Sequence, residues 1–319
     1  MDKYYIKYIL VNRLRFITYF FLLIFFLIIL RFFYIQILQN NYYSTQAFDN
    51  SIKIVPIAPE RGLIFDRNNI ILADNKLNYS LEIIPAKSKN LSEVVKNLSE
   101  VVKINLLDIE KYERILKNNY SSNSIPIKSN LTNQELVTFV TNSYRFPNVE
   151  LKERIKRFYP QGSSGVHFLG YINRISKKDL IAIDNKGQKK NYIGTDYIGK
   201  TGVEFQYENE LHGAPGYQHI EVNSVGKALR TLKTYPAREG NNLHLTIDHK
   251  MQEIAENAFE NRKGALVALD PTNGEILAYV SMPTYNPGLF IDGISHKNWD
   301  KLNQSLKKPL LDRAINGLY

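Results

Sequence analysis

The run Gly194-Thr195-Asp196-Tyr197-Ile198-Gly199-Lys200-Thr201 has the residue types and spacing of a phosphate-binding loop, G-x-x-x-x-G-K-[ST]. In such a loop, backbone N–H groups at a helix N-terminus cradle phosphate, and the lysine reaches its outer oxygens. That chemistry needs a buried strand before the loop and a helix after it. The preceding residues, Asn185-Lys186-Gly187-Gln188-Lys189-Lys190-Asn191, are too polar for a core strand, and Gly202 interrupts the helix start. With neither element in place to position the glycines and the lysine, nucleotide binding is not expected. The chain has no cysteine, which removes disulfides, thiolate metal sites and a Cys nucleophile. Its six histidines (His167, His212, His219, His244, His249 and His296) form no His-Glu-x-x-His pair and read as surface or hydrogen-bonded side chains.

Composition sets the frame in which any site must sit. A length of 319 residues suggests two domains at roughly 150 residues each. Charged residues at 23% and hydrophobic residues at 44% fit a folded protein. The net charge of +10, from 41 Lys+Arg against 31 Asp+Glu, does not by itself point to nucleic acid. Ile, Lys, Asn and Tyr are all abundant, 21 Tyr among them, a pattern that an AT-rich genome imposes whatever the function. An anionic membrane surface or wall polymer suits the excess charge better than nucleic acid, which is not expected as a partner.

The elements follow in order. Residues 16–38 read FITYFFLLIFFLIILRFFYIQIL, enough at about 1.5 Å per residue to span a bilayer core of about 30 Å. The uncharged portion ends at Leu30, so a cleaved signal peptide is the rival reading. No small-x-small site follows, because the next residues are Arg31-Phe32-Phe33-Tyr34. An uncleaved signal anchor is therefore expected, with Arg31 snorkelling to an interface where Tyr34 also belongs. Lys3, Lys7, Arg13 and Arg15 precede the span and place residues 1–15 in the cytoplasm by the positive-inside rule. Everything after about residue 39 then lies outside, in the periplasm or its equivalent.

In Pro59-Glu60-Arg61-Gly62-Leu63-Ile64-Phe65-Asp66-Arg67-Asn68-Asn69-Ile70-Ile71-Leu72-Ala73, apolar triplets flank a polar turn, which predicts a hairpin with Asn69 in the left-handed region. Residues 91–104 read LSEVVKNLSEVVKI, a tandem seven-residue repeat that predicts an amphipathic helix opened by Asn90 and Glu93. Thr132-Asn133-Gln134-Glu135 is a capping box, with Leu131 and Leu136 spaced as its hydrophobic staple. Pro236-Ala237-Arg238-Glu239-Gly240-Asn241-Asn242 reads as a linker. After it, Leu243-His244-Leu245-Thr246-Ile247 alternates as a strand, and Asp248 caps a helix through Met251, Ile254, Ala255, Ala258 and Phe259. Two apolar runs then flank Asp270-Pro271-Thr272-Asn273-Gly274, strong hairpin chemistry over residues 264–283.

Taken together these blocks resemble the class B penicillin-binding proteins, in particular the elongation-type penicillin-binding protein 2 group. Arg61-Gly62-x-Ile64-x-Asp66-Arg67 is similar to the first motif of that family's membrane-proximal pedestal, with Asn69 where a glycine is usual. Arg157-Phe158-Tyr159-Pro160 and His167-Phe168-Leu169-Gly170-Tyr171 resemble the next block. Tyr197-Ile198-Gly199-Lys200-Thr201-Gly202-Val203-Glu204, with Tyr207-Glu208 and Leu211-His212-Gly213, resembles the pedestal's Gly-x-x-Gly-x-Glu segment and accounts for the false phosphate loop. Leu245-Thr246-Ile247-Asp248 and the residue 264–283 hairpin look like the opening of the transpeptidase domain.

The resemblance implies an α+β chain. It would comprise a cytoplasmic tail at 1–15, a single transmembrane helix at 16–38, and an elongated pedestal or dimerisation domain at 39–235 with a helical insertion at about 88–145. A linker at 236–242 and the incomplete start of an α/β penicillin-binding, serine β-lactamase-like domain at 243–319 would follow. The implied activity is D,D-transpeptidation in peptidoglycan synthesis during cell elongation. In that family a Ser in Ser-x-x-Lys, activated by a nearby Lys, is acylated by a stem peptide or by a β-lactam. No cofactor or metal is implied. Arg61, Gly62, Asp66, Arg67, Gly199, Gly202 and Glu204 would be structural pedestal residues. The implied partners are the plasma membrane, a SEDS-type glycan polymerase and an MreC-like scaffold, with stem peptides and β-lactams reserved for the full-length protein.

In the family, sequence like Arg313-Ala314-Ile315-Asn316-Gly317-Leu318-Tyr319 runs directly into the Ser-x-x-Lys block, so the catalytic Ser and Lys are expected beyond Tyr319. Ser224-Val225-Gly226-Lys227, Ser305-Leu306-Lys307-Lys308 and Lys200-Thr201-Gly202 spell catalytic patterns but stand in the wrong order and inside other blocks. The 319 residues are accordingly expected to be inactive alone, with residues 243–319 poorly protected from exchange. A membrane-anchored, non-catalytic binding module is the alternative from another class, and a division-type relative is the alternative within the family.

Overall fold

The computed structural model describes residues 3–40, 42–43, 51–83, 91–106, 108–110, 112–113, 125–223, 228–260 and 262–317. Contacts group the chain into two compact units, Met1–Pro56 with Tyr217–Tyr235 and Ile57–Gly216 with Pro236–Tyr319.

The first unit holds a long helix, α1 (Lys3–Phe33), continued by one wider π-type turn over Tyr34–Leu38. Its Arg13–Leu38 stretch of 26 residues, with mean hydropathy 2.6, is long and apolar enough to cross a membrane. From Arg13 to Leu38 its apolar side chains point outward all round, as suits a helix whose solvent is lipid. Arg31 lies over the Tyr34 ring at 5.5 Å, the pairing expected at an interface. The unit also holds a three-stranded sheet of β1 (Ile52–Ile57), β8 (Gly216–Val222) and β9 (Ala228–Tyr235), in the order β1-β8-β9.

The second unit is built on β3 (Ile71–Ile83). Strand β2 (Ile64–Phe65) precedes it through the turn at Asp66–Asn69, where Asn69 has φ 63°, the left-handed conformation read from its residue type. Strands β4 (Ile125–Ser129) and β5 (Val149–Phe158) pair with β3, and β10 (Leu243–His244) lies parallel to β2. The β3–β5 register runs from Asp74↔Phe158 to Ile83↔Val149, so this ribbon joins two cores.

At its far end, Leu81, Ile83, Leu98, Val102, Ile127 and Phe139 form the first core. Helix α2 (Leu91–Ser99) contributes Val95 and Leu98 to that core. It is shorter than the heptad pattern predicts: Ser99 Oγ bonds back to Val95 O at 2.7 Å and the chain turns, with Val101 N–H donating to Leu98 O. The Asn90 half of its predicted cap lies outside the described residues. The box opening α3 (Asn133–Asn142) is formed as read, with Thr132 and Glu135 bonded in both directions and Leu131 packed on the core.

The near end carries the second core, which includes Ile64, Leu72, Ala73, Tyr159, Leu169 and Leu211. Short elements wrap it: α4 (Val166–Leu169), β6 (Ile172–Arg174), α5 (Lys177–Asn185), β7 (Tyr197–Gly199), α6 (Gly202–Gln206) and α7 (Glu208–His212). Residues 236–242, read as a linker, are fastened here by backbone bonds. Arg238 and Ala214 bond reciprocally at 2.8 Å, Gly240 donates to Glu60 O, and Asn241 donates to Glu210 O.

Residues 243–317 add α8 (His249–Ala258), the hairpin β11 (Gly264–Leu269) and β12 (Ile276–Met282), α9 (His296–Asn303) and α10 (Arg313–Asn316). The hairpin forms where its sequence placed it, with Asp270 N–H donating to Glu275 O at 2.9 Å and Gly274 at φ 78°. Asp248 caps α8 as expected. The helix does not bury the apolar residues read as its face: Met251 and Ile254 are exposed, while Gln252 is buried. The reason is local. The Gln252 side chain donates to Tyr279 O at 2.8 Å and accepts from Tyr279 N–H at 2.7 Å. It satisfies backbone groups of β12 that, among the described residues, have no strand neighbour on that side.

Candidate functional site

The motif residues converge on one buried polar joint beneath β2. Arg61 leaves the strand entry with its guanidinium pointing inward. Its Nε donates to Glu204 Oε2 at 2.7 Å, and its Nη2 donates to Glu204 O at 2.9 Å and Glu208 Oε2 at 2.7 Å. Arg157, at the end of β5, donates from Nε to Glu204 Oε1 at 2.7 Å, and from Nη1 to Gly62 O at 2.7 Å and Asn75 Oδ1 at 3.1 Å. Two guanidiniums thus face two carboxylates with matched charge. Glu204 is completely buried. Burial alone would raise its carboxyl, but Arg157 and Arg61 more than reverse this and hold it below the ordinary carboxylate range. Burial disfavours the charged Arg61 guanidinium, and Glu204 and Glu208 overcome that and raise it.

Tyrosines and backbone fill the remaining positions. Tyr159 O–H donates to Glu204 Oε1 at 3.3 Å and accepts from Ile172 N–H. Its phenol is pushed well up by burial and then by Glu204. Tyr192 O–H donates to Glu208 Oε1 at 3.1 Å, and Gly199 N–H donates to Glu208 Oε2 at 2.9 Å. The glycines permit this closeness. A Cβ on Gly62 would stand 2.0 Å from Asn241 O, and Gly202 opens α6 at φ 60° with a Cβ position 2.4 Å from Phe168 O. Gly202 therefore starts a one-turn helix in a conformation that other residues reach only with strain.

Asp66 and Arg67 tie the turn to α8. Asp66 Oδ1 accepts from Asn68 N–H at 2.8 Å and Ile70 N–H at 2.7 Å, and its Oδ2 accepts from His249 N–H at 3.0 Å. Arg67 N–H donates to Ile247 O, and Asn68 Nδ2 donates to Asp248 Oδ2. Arg67 also pairs with Glu275 in the hairpin turn at 3.3 Å. The first turn of α8 is therefore capped by two carboxylates, its own N-cap Asp248 and Asp66 from the turn at Asp66–Asn69.

The structure brings Arg61, Gly62, Asp66, Arg67, Gly199, Gly202 and Glu204 to this joint and its edge. Asn75 and Tyr192 serve it too, and sequence reading did not single them out. Nothing in their local pattern marks them, because their partners lie in distant segments.

The remaining chemical patterns stand elsewhere. In the phosphate-loop match, Tyr197–Gly199 is a strand paired with β6, and Lys200 Nζ is paired with Asp179. Ser305-Leu306-Lys307-Lys308 is a surface turn in which Ser305 Oγ accepts from Lys307 N–H. Ser224–Lys227 lies outside the described residues. Among the described residues no group of three His, Asp or Glu side chains is placed to hold a metal ion. The joint holds no nucleophile facing a cleft; its chemistry is mutual neutralisation of buried charge, which fixes geometry.

Comparisons with known proteins agree with this arrangement. The family model described as the penicillin-binding protein dimerisation domain matches residues 56–245. The peptidoglycan D,D-transpeptidase MrdA of Escherichia coli (strain K12) is 41% identical over 285 residues, covering 89% of this chain and 45% of that protein. Penicillin-binding protein 3 of Bacillus subtilis (strain 168) is 34% identical over 265 residues, covering 82% and 38%. The complex between penicillin-binding protein PBP2 and MreC from Helicobacter pylori contains a chain matching with TM-score 0.70 and 28% identity, over 84% of this chain and 50% of that one. The chain spans about half the length of the curated relatives it matches. With its pedestal motifs assembled around Glu204 and the family model matching well over half its length, the chain belongs to the penicillin-binding proteins that carry the dimerisation domain.

Proposed function

We propose that these 319 residues are the membrane anchor, the pedestal and the opening of the transpeptidase domain of an elongation-type peptidoglycan D,D-transpeptidase. The observation that carries the reading is 41% identity to MrdA over 285 residues, a span that takes in every block of the joint. In this reading α1 anchors the protein with its N-terminus in the cytoplasm, residues 39–235 form the pedestal, and residues 243–319 begin the catalytic domain. The joint sets the angle at which that domain leaves the pedestal. The Ser and Lys of catalysis are not among these residues, and the three short pattern matches are not catalytic. An MreC-type scaffold is the partner of the assembled protein, a role supported by the Helicobacter pylori complex. A SEDS-type glycan polymerase is a further partner implied by family resemblance.

A chimera tests this. Residues 1–317 fused to the remaining C-terminal half of E. coli MrdA should label with a fluorescent penicillin and restore rod shape to cells depleted of MrdA. The 319-residue chain alone should not label. A stably inserted chimera that neither labels nor restores shape would overturn the reading.

A further inference from the structure

Residues 285–294 cross the second unit without using its backbone. Leu289, Phe290 and Gly293 donate their N–H groups to Asn286 O, Pro287 O and Phe290 O, all within the segment itself. Among the described residues, no backbone–backbone bond ties 285–294 to residues 57–216. Side chains do it instead. Phe290 stacks on Tyr171 at 4.2 Å, Tyr285 meets His167 and Tyr171 edge-on, and Asp292 reaches the β6–β7 pair. There Tyr197 O–H donates to Asp292 Oδ1 at 2.6 Å, and Lys156 Nζ pairs with its Oδ2. Arg174 lies over the Tyr197 ring at 5.6 Å and adds a second cation beside the carboxylate.

The contrast with the joint is one of kind. The joint is a set of buried ion pairs among closely packed backbone and glycine, so it opens only by unfolding. Asp292 is the one mostly buried carboxylate on a segment otherwise held by apolar and aromatic contact, with Ile291 in the second core, and by a side-chain hydrogen bond between Tyr285 and Thr201, so removing its two donors leaves the rest of the fold intact. We propose that residues 285–294 form a strap and that Lys156 and Tyr197 latch it through Asp292, so that the strap releases while the Asp66–His249 joint stays closed. The strap does not end at Asp292. Phe290 and Tyr285 share a cluster with Leu302 and Leu310, and Leu310 is two residues from Asp312, whose carboxylate accepts from Tyr279 O–H at 2.7 Å and caps α10. Where residues 243–319 open a catalytic domain, a consequence that rests on the function proposed above, the latch positions α10 from the pedestal side.

Hydrogen exchange of the full chain in detergent reads the latch directly. Asp292→Ala should speed exchange of the peptide covering 286–294 by about 10-fold or more, and Tyr197→Phe by about 5-fold, as expected for losing buried polar contacts. Peptides covering 243–252 and 266–280 should stay unchanged. The pair Lys156→Met with Asp292→Leu, which replaces the ion pair by apolar contact, should return the strap to within about threefold of the parent. Unchanged exchange over 286–294 in Asp292→Ala overturns the proposal. So does a Tyr197→Phe variant in which 243–252 accelerates together with the strap, because joint and strap would then open as one. Penicillin labelling of the chimera reports separately on the catalytic reading, so that reading can fail while the latch stands.

Discussion

Arg61 and Glu204 lie 143 positions apart and meet at 2.7 Å, with Glu204 wholly buried and Arg157 on its other oxygen at the same distance. Neither residue has a local reason to be charged: one precedes a two-residue strand and the other sits in a one-turn helix. Their pairing joins the first motif of the chain to the last block of its wrapped elements. The pairing also makes the joint sensitive to any loss of one partner.

Glu204→Gln should therefore destabilise the second unit by about 3–5 kcal/mol, because it leaves two buried guanidiniums without their shared counter-charge. The midpoint of urea unfolding, followed by circular dichroism, checks this. The pH dependence has a definite sign. Glu204 is held below its ordinary value in the fold. Its contribution is therefore fully present above the unfolded carboxyl value of about 4.3 and is lost as pH falls through the folded value. The parent should lose stability on acidification through this window, and the Gln variant should lose less.

The cap that Asp66 gives α8 yields a second expectation. Asp66→Ala removes the acceptor for His249 N–H and for two N–H groups of its own turn. Exchange should accelerate over residues 66–70 and 249–252 together, while the far core around Leu98 and Phe139 keeps its protection. Contrary to the poor protection expected from the sequence, the parent hairpin at 264–282 should be protected, since Ala278 and Val280 are fully buried and β11 pairs with β12 along its length. Rapid parent exchange at Val280 would show instead that residues 243–319 are loosely held, as expected of an incomplete domain layer.

What the sequence disclosed follows the range of the forces involved. The long apolar helix, the capping box at Thr132, the N-cap at Asp248, the left-handed Asn69 and the Asn-Gly hairpin depend on neighbours within a few residues, and each was legible. The motif residues were legible only as a resemblance, because nothing near Arg61 says that its partner is Glu204. Helix α8 misled for the same reason. Its apolar spacing was real, but a side-chain bond from Gln252 to the edge of β12 decided which face turned inward. Asn75, Tyr192 and Asp292 carried no local mark at all.

Orientation in the membrane is the last expectation, and the composition makes it easy to measure. The chain has no cysteine, so any introduced thiol is unique. Lys3, Lys7, Arg13 and Arg15 precede the apolar stretch, and Arg31 is the only charged residue in the run from 16 to 38. The positive-inside rule then predicts that the amino end stays in the cytoplasm. In intact spheroplasts a membrane-impermeant maleimide should label Gln39→Cys and leave Asp2→Cys unlabelled until the membrane is permeabilised. Equal labelling of both before permeabilisation, or labelling of Asp2→Cys alone, would reverse the topology. It would also count against the anchor orientation proposed for α1.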